Sequence, residues 1–182
     1  MRGDKMPISL DKCKADMKKY VRKTKDYPKL SVTHVESVPA PGIKSLMFKA
    51  VVLGETDNYT SYIQFFKVDY NEKQDKDFTV PALVASSTVF HKKPSLKANP
   101  VFLYCSCEDF RFRWMKPLYD NKGLLGNWKR YSRVTAPPPK GHTYLNPQAD
   151  GLKPQNADSY TGYCKHIFNL LGNLKNSSQV VD

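Results

Sequence analysis

Long hydrophobic runs are missing from this 182-residue chain. No window approaches the roughly 20 apolar residues of a membrane-spanning helix, and the first thirty residues lack the apolar core of a secretory signal. No membrane partner is therefore expected. Cysteine is scarce, with four residues at 13, 105, 107 and 164. Without an export signal the expected compartment is reducing, and the thiols are expected free or metal-bound. No Walker sequence, no dinucleotide-binding glycine loop and no Gly-x-Ser-x-Gly elbow is present. No pair of carboxylates stands out for acid–base work either, so the chain is not expected to be an enzyme.

Acidic residues are also few. Seventeen Asp and Glu face 29 Lys and Arg, a formal net charge of +12. Such a balance fits nucleic acid, an anionic membrane or an acidic protein neighbour. Residues 1–30 hold ten Lys or Arg against four Asp, a net +6 that is half of the total. No uninterrupted basic block exceeds two residues, so the charge is a dispersed field and not a tail. Hydrophobic residues make up 40% and aromatic residues 12%, enough to bury a core in a single domain spanning 1–182.

The expected fold is α+β: an antiparallel β-rich body with an N-terminal helix, a zinc-pinned long loop and a short C-terminal helix. Residues 1–28 form a basic helical arm. Within it Leu10, Cys13, Met17, Tyr20 and Val21 recur at helical spacing over 10–23, and Ser9 is suited to cap the helix. Lys18, Lys19 and Arg22 lie on the basic outer face, and Cys13 reads as a small buried thiol. Residues 29–104 are the β-rich body. Strands are expected at 30–38, 46–53, 59–70 and 101–105, with one or two more in 78–90; turns fall at 39–42, 54–58 and 71–77. Residues 105–171 form the metal-binding region with a long insertion. Its start, 108–120, is expected partly helical. The insertion carries Trp128, three prolines at 137–139 and many Gly, Asn and Tyr, and loops of that length are usually functional. A helix over 164–174 is expected to be capped or interrupted near Gly172, and 172–182 is expected to be a loose tail.

Cys105 and Cys107 leave the last strand as a Cys-x-Cys pair, and Cys164 and His166 open the last helix as a Cys-x-His pair, with 56 residues between. Three thiolates and an imidazole make a tetrahedral zinc set, and one structural Zn²⁺ is expected. A helix N-terminus would also favour the Cys164 thiolate. The competing readings are a strained Cys-x-Cys disulfide, a Cys–His nucleophilic dyad, unmetallated buried thiols and an open catalytic metal site. A dyad leaves two cysteines unexplained, and four protein ligands normally close the coordination shell. Asp109 reads as a surface or capping residue. His34, His91 and His142 form no motif.

The order Cys-x-Cys then Cys-x-His, with a strand before and a helix after, resembles the SWIM zinc-binding motif. CSCEDFRFRW at 105–114, the proline-rich middle, Asn146-Pro147 and CKHIFNLL at 164–171 resemble a SWIM-related form in tailed-bacteriophage structural proteins. Thr161-Gly162-Tyr163 stands where that form has a segment like Pro-Gly-Leu. The likeness covers roughly the last 80 residues, and the gap between the pairs is longer than in typical SWIM domains. It implies a virion component of the tail, baseplate or neck. Such a subunit would be present in multiple copies, contact other virion proteins, with packaged DNA a further candidate partner, and occupy the host cytoplasm during assembly. The alternative is a nucleic-acid-binding or transcription-associated zinc protein. For either, Arg111, Arg113 and Trp114, interleaved as RFRW, form a candidate partner or nucleic-acid surface together with Lys18, Lys19 and Arg22.

Overall fold

Helix, strands and helix follow one another in the computed structural model, which describes residues 8–19, 27–126 and 160–182. The order is α1 (Leu10–Lys19), β1 (Val32–Ala40), β2 (Ser45–Leu53), β3 (Asn58–Phe66), β4 (Tyr70–Asn71), β5 (Val80–Val84), β6 (Ser87–His91) and β7 (Val101–Cys105). A π-helical turn (Phe110–Trp114) then runs into α2 (Met115–Asp120), and α3 (Lys165–Asn176) follows. The expected helix over 10–23 is described as far as Lys19. Arg22 and the proline-rich part of the long insertion lie outside the described residues.

Among the described residues, two antiparallel sheets hold seven strands, one ordered β1-β2-β3-β7 and one ordered β4-β6-β5. The period-two pattern sets the larger sheet's inner face. Leu46, Phe48, Ala50 and Val52 of β2 are buried, as are Ser61, Ile63 and Phe65 of β3 and Val101, Leu103 and Cys105 of β7. Helix α3 lies across this sheet. Its Ile167, Leu170, Leu171 and Leu174 are buried in the same core as Phe110, Trp114 and Leu118. Beyond β7, Leu103 donates to the Gly123 carbonyl at 2.8 Å and accepts from Leu125 at 3.0 Å. Part of the stretch expected as loop thus continues the sheet.

Helix α1 starts as its sequence requires, with the Ser9 hydroxyl accepting the Lys12 N–H at 3.2 Å. Leu10, Cys13 and Met17 are buried in the chain's own core.

Three expectations are corrected. The strand expected to reach Tyr70 ends at Phe66. Lys67 adopts φ 57°, and the Val68 N–H turns to the Lys44 carbonyl at 2.9 Å; the chain there crosses to the small sheet, where Tyr70 pairs with His91. The last helix runs through Gly172 to Asn176 without interruption, because a weak helix former is tolerated where packing holds its neighbours. The tail is docked, not loose. Val180 is buried, Val181 pairs with Ser95, and Leu96 N–H donates to the Val181 carbonyl at 2.8 Å.

Candidate metal centre

Sheet register brings the first ligand pair to the second. Ser61 of β3 stands opposite Cys105 of β7, so Cys105 points into the face that α3 covers. Cys107 follows two residues later at the start of the next helical segment, and Cys164 is the N-cap of α3. The Sγ atoms of Cys105, Cys107 and Cys164 and a ring nitrogen of His166 all lie within 4.8 Å of one another, and all four residues are buried. His166 Nδ1 is 3.8 Å from Cys105 Sγ. A tetrahedral cation with bonds of about 2.0–2.3 Å separates its ligand atoms by about 3.3–3.8 Å. The cluster therefore fits a metal ion after a contraction of about an ångström at its widest. The four ligands expected from sequence are the four brought together.

The surroundings favour charge on sulfur. Cys107 caps the helical segment beginning at Glu108, and its Sγ accepts the Phe110 N–H at 3.3 Å. Both Cys107 and Cys164 thus sit at helix N-termini, where free N–H groups and the helix dipole stabilise thiolates. The Ser61 hydroxyl donates to Cys105 Sγ at 3.4 Å. The three thiols shift one another in opposite directions. Hydrogen bonds from Cys107 and Cys164 push Cys105 far below its ordinary value; Cys107 is pushed well up by its bond to Cys105, and burial pushes Cys164 up. A bound cation resolves this conflict, because it lets all three ligate as thiolates.

His166 is fixed by its neighbours. The Tyr59 ring lies against the imidazole with centroids 4.3 Å apart and planes tilted by 34°. Gly54 makes room for that ring, since a Cβ there would stand 2.6 Å from it and 2.8 Å from the Asp57 carbonyl oxygen. Nδ1 faces the sulfurs, and Nε2 is buried with no hydrogen-bond partner among the described residues. Tyr59 and Ser61 were not singled out in the sequence. Their signal is positional: once β3 pairs with β7, both fall beside the ligands.

The residues expected to form a partner surface divide. Trp114 is fully buried, which corrects its place in the candidate partner or nucleic-acid surface. FRFRW coils into a helical turn, so Phe110, Trp114 and Leu118 share the inward face. Arg113 is largely covered, ion-paired with Asp109 and close to the Trp114 ring. Asp109, expected as a surface or capping residue, is half-buried and pairs with Arg113 without capping the turn through its side chain. Arg111 is half-buried and Lys18 is exposed. Lys19 is the last described residue of α1, and Arg22 falls outside the described residues.

No family model, curated protein or solved structure matches the chain. No helix among the described residues is long and apolar enough to cross a membrane.

Proposed function

We propose that Cys105, Cys107, Cys164 and His166 hold one Zn²⁺ as a closed structural site. We further propose that the chain is a non-enzymatic assembly subunit of a tailed-phage virion, in its tail, baseplate or neck. The observation that carries the metal reading is the convergence of four buried ligand atoms, two from each end of a 56-residue excursion. Three sulfurs and one imidazole suit zinc over harder cations, and four protein ligands leave no position for a substrate. Zinc bound this way contributes folding free energy directly, because such distant ligands are not assembled in the unfolded chain.

The virion reading rests on the SWIM-related resemblance of 105–114 and 164–171. The chain then resides in the virion in multiple copies, and in the host cytoplasm during assembly. Purified particles should contain the chain at constant stoichiometry across a density gradient. The competing reading, a nucleic-acid-binding or transcription-associated zinc protein, draws on the +12 charge. It predicts absence from particles and tight DNA binding that weakens steeply as salt rises. Burial of Trp114 removes the ring that reading would use.

A further inference from the structure

The two ligand arms meet at a second place, 8–19, which the metal reading does not use. The start of α1 is attached to the first arm. Ser9 pairs with Pro100, and the Ile8 carbonyl accepts the Val101 N–H at 2.8 Å, four residues before Cys105. Ile8 also packs onto the chain after α2, where a Cβ on Gly123 would come within 2.2 Å of it. The middle of α1 is attached to the second arm. Asp16, only 8% exposed, accepts the Thr161 hydroxyl at 2.5 Å and the Thr161 N–H at 3.3 Å, three residues before Cys164. Lys12 Nζ completes the carboxylate's shell at 3.2 Å. Gly162 then threads between Met17 and Trp114, where a Cβ would stand 2.8 Å from Met17 and 2.5 Å from the Trp114 ring.

We propose that α1 is a second clasp across the same two arms, with Asp16 its positioning residue, so that docking of the basic N-terminal helix and metal binding are thermodynamically coupled. The inference rests on the metal reading above. Its physical basis is short. Helix α1, described over Leu10–Lys19, buries Leu10, Cys13 and Met17 against the rest of the core, and a helix in a protein draws most of its stability from such packing. It is therefore held by what it docks on, and part of that surface is the Thr161–Gly162 lead-in to Cys164. A metal ion that fixes Cys164 and His166 orders this lead-in and favours docking. By reciprocity, docking holds the lead-in near β7 and lowers the ordering cost of metal binding. Loss of the metal would then release a basic helix and uncover Cys13, which is fully buried on that helix's inner face.

The full chain loaded with Co²⁺ tests this with two readouts, the cobalt–thiolate absorption under chelator competition and the peptide-mapped alkylation rate of Cys13. Stripping the metal should raise Cys13 alkylation about tenfold or more, while amide exchange in β5 and β6 stays slow. Thr161→Val, which keeps the side chain's size and removes the hydroxyl, should weaken cobalt affinity about tenfold; Asp16→Ala should do so at least as strongly. Thr161→Ser should bind like the parent. Val68→Ala, a core change at the junction of the two sheets, should leave affinity unchanged, which separates positioning from general destabilisation. Cobalt that binds with Cys13 equally protected in loaded and stripped protein, or Thr161→Val binding like the parent, overturns the coupling alone. Absence of a cobalt–thiolate band in the parent protein overturns the metal reading and this inference with it.

Discussion

At the scale of single residues, the centre depends on atoms that are absent as much as on those present. Gly162 leaves the gap in which Trp114 and Met17 meet the chain just before Cys164. Gly162→Ala overfills that gap, and overpacking costs about 1–3 kcal/mol. For a chain of this size the melting midpoint should fall by about 2–4 °C for each kcal/mol, as measured by calorimetry on the metal-loaded protein. An unchanged midpoint would mean that Trp114 moves aside without cost. The four candidate ligands were legible in the sequence because Cys-x-Cys and Cys-x-His carry their chemistry in their spacing. Tyr59, Ser61 and Asp16 were not, since each reaches the site only through strand register or helix docking. RFRW misled for a related reason. Alternating charge and ring reads as an exposed edge, but a helical turn places residues four apart on one face and buries Trp114.

At the scale of elements, the period-two strands were read well where one face is buried, as in β2 and β7, whereas β3 was read too long because Lys67 turns the chain towards the small sheet. The small sheet was harder to read, because β5 and β6 are short and mostly exposed. Its one deeply buried polar side chain is His91, whose Nδ1 lies 2.9 Å from the Lys92 carbonyl. Burial holds the His91 imidazole below its ordinary value of 6.5. The unfolded chain then binds the proton more readily than the folded one. His91's contribution is complete above about pH 6.5 and is lost as pH falls through that value towards the folded pKa. Urea unfolding at pH 7.5 and pH 5.5 should show a smaller stability difference in His91→Gln than in the parent. Equal differences would show that the small sheet does not sense this proton. The docked tail makes its own prediction. Val180 lies against the core and Asp182 pairs with Lys175, so Val180→Asp should cost about 1–3 kcal/mol in chemical denaturation, where a loose tail would tolerate the change. Nothing in NSSQVVD announces docking, because its partners, Pro94 to Leu96, are some eighty residues away in sequence.

At the scale of the whole molecule, the larger sheet, α1 and α3 share one core, and the candidate metal centre lies where both ligand arms enter it. The outer edge of the sheet is guarded. Strand β1 is exposed along most of its length, but His34 at φ 51°, a register shift between Thr33 and Glu36, and Pro39 all interrupt a continuous edge. Such an edge resists unplanned strand pairing. The +12 charge is a property of the same scale, and it makes association with any anionic partner salt-dependent. Chelation at neutral pH should lower the thermal midpoint of the whole chain and not of one segment, because the ligands come from both sides of the shared core. Readdition of zinc under reducing conditions should restore it.

The central claim is that these four residues hold a single ion, and metal analysis of protein purified without added zinc tests it most directly. About one zinc per chain is predicted for the parent protein. Cys105→Ser should retain well under that amount and lose about 4 kcal/mol or more of stability. Parent protein free of metal, or Cys105→Ser with its full complement, would contradict it.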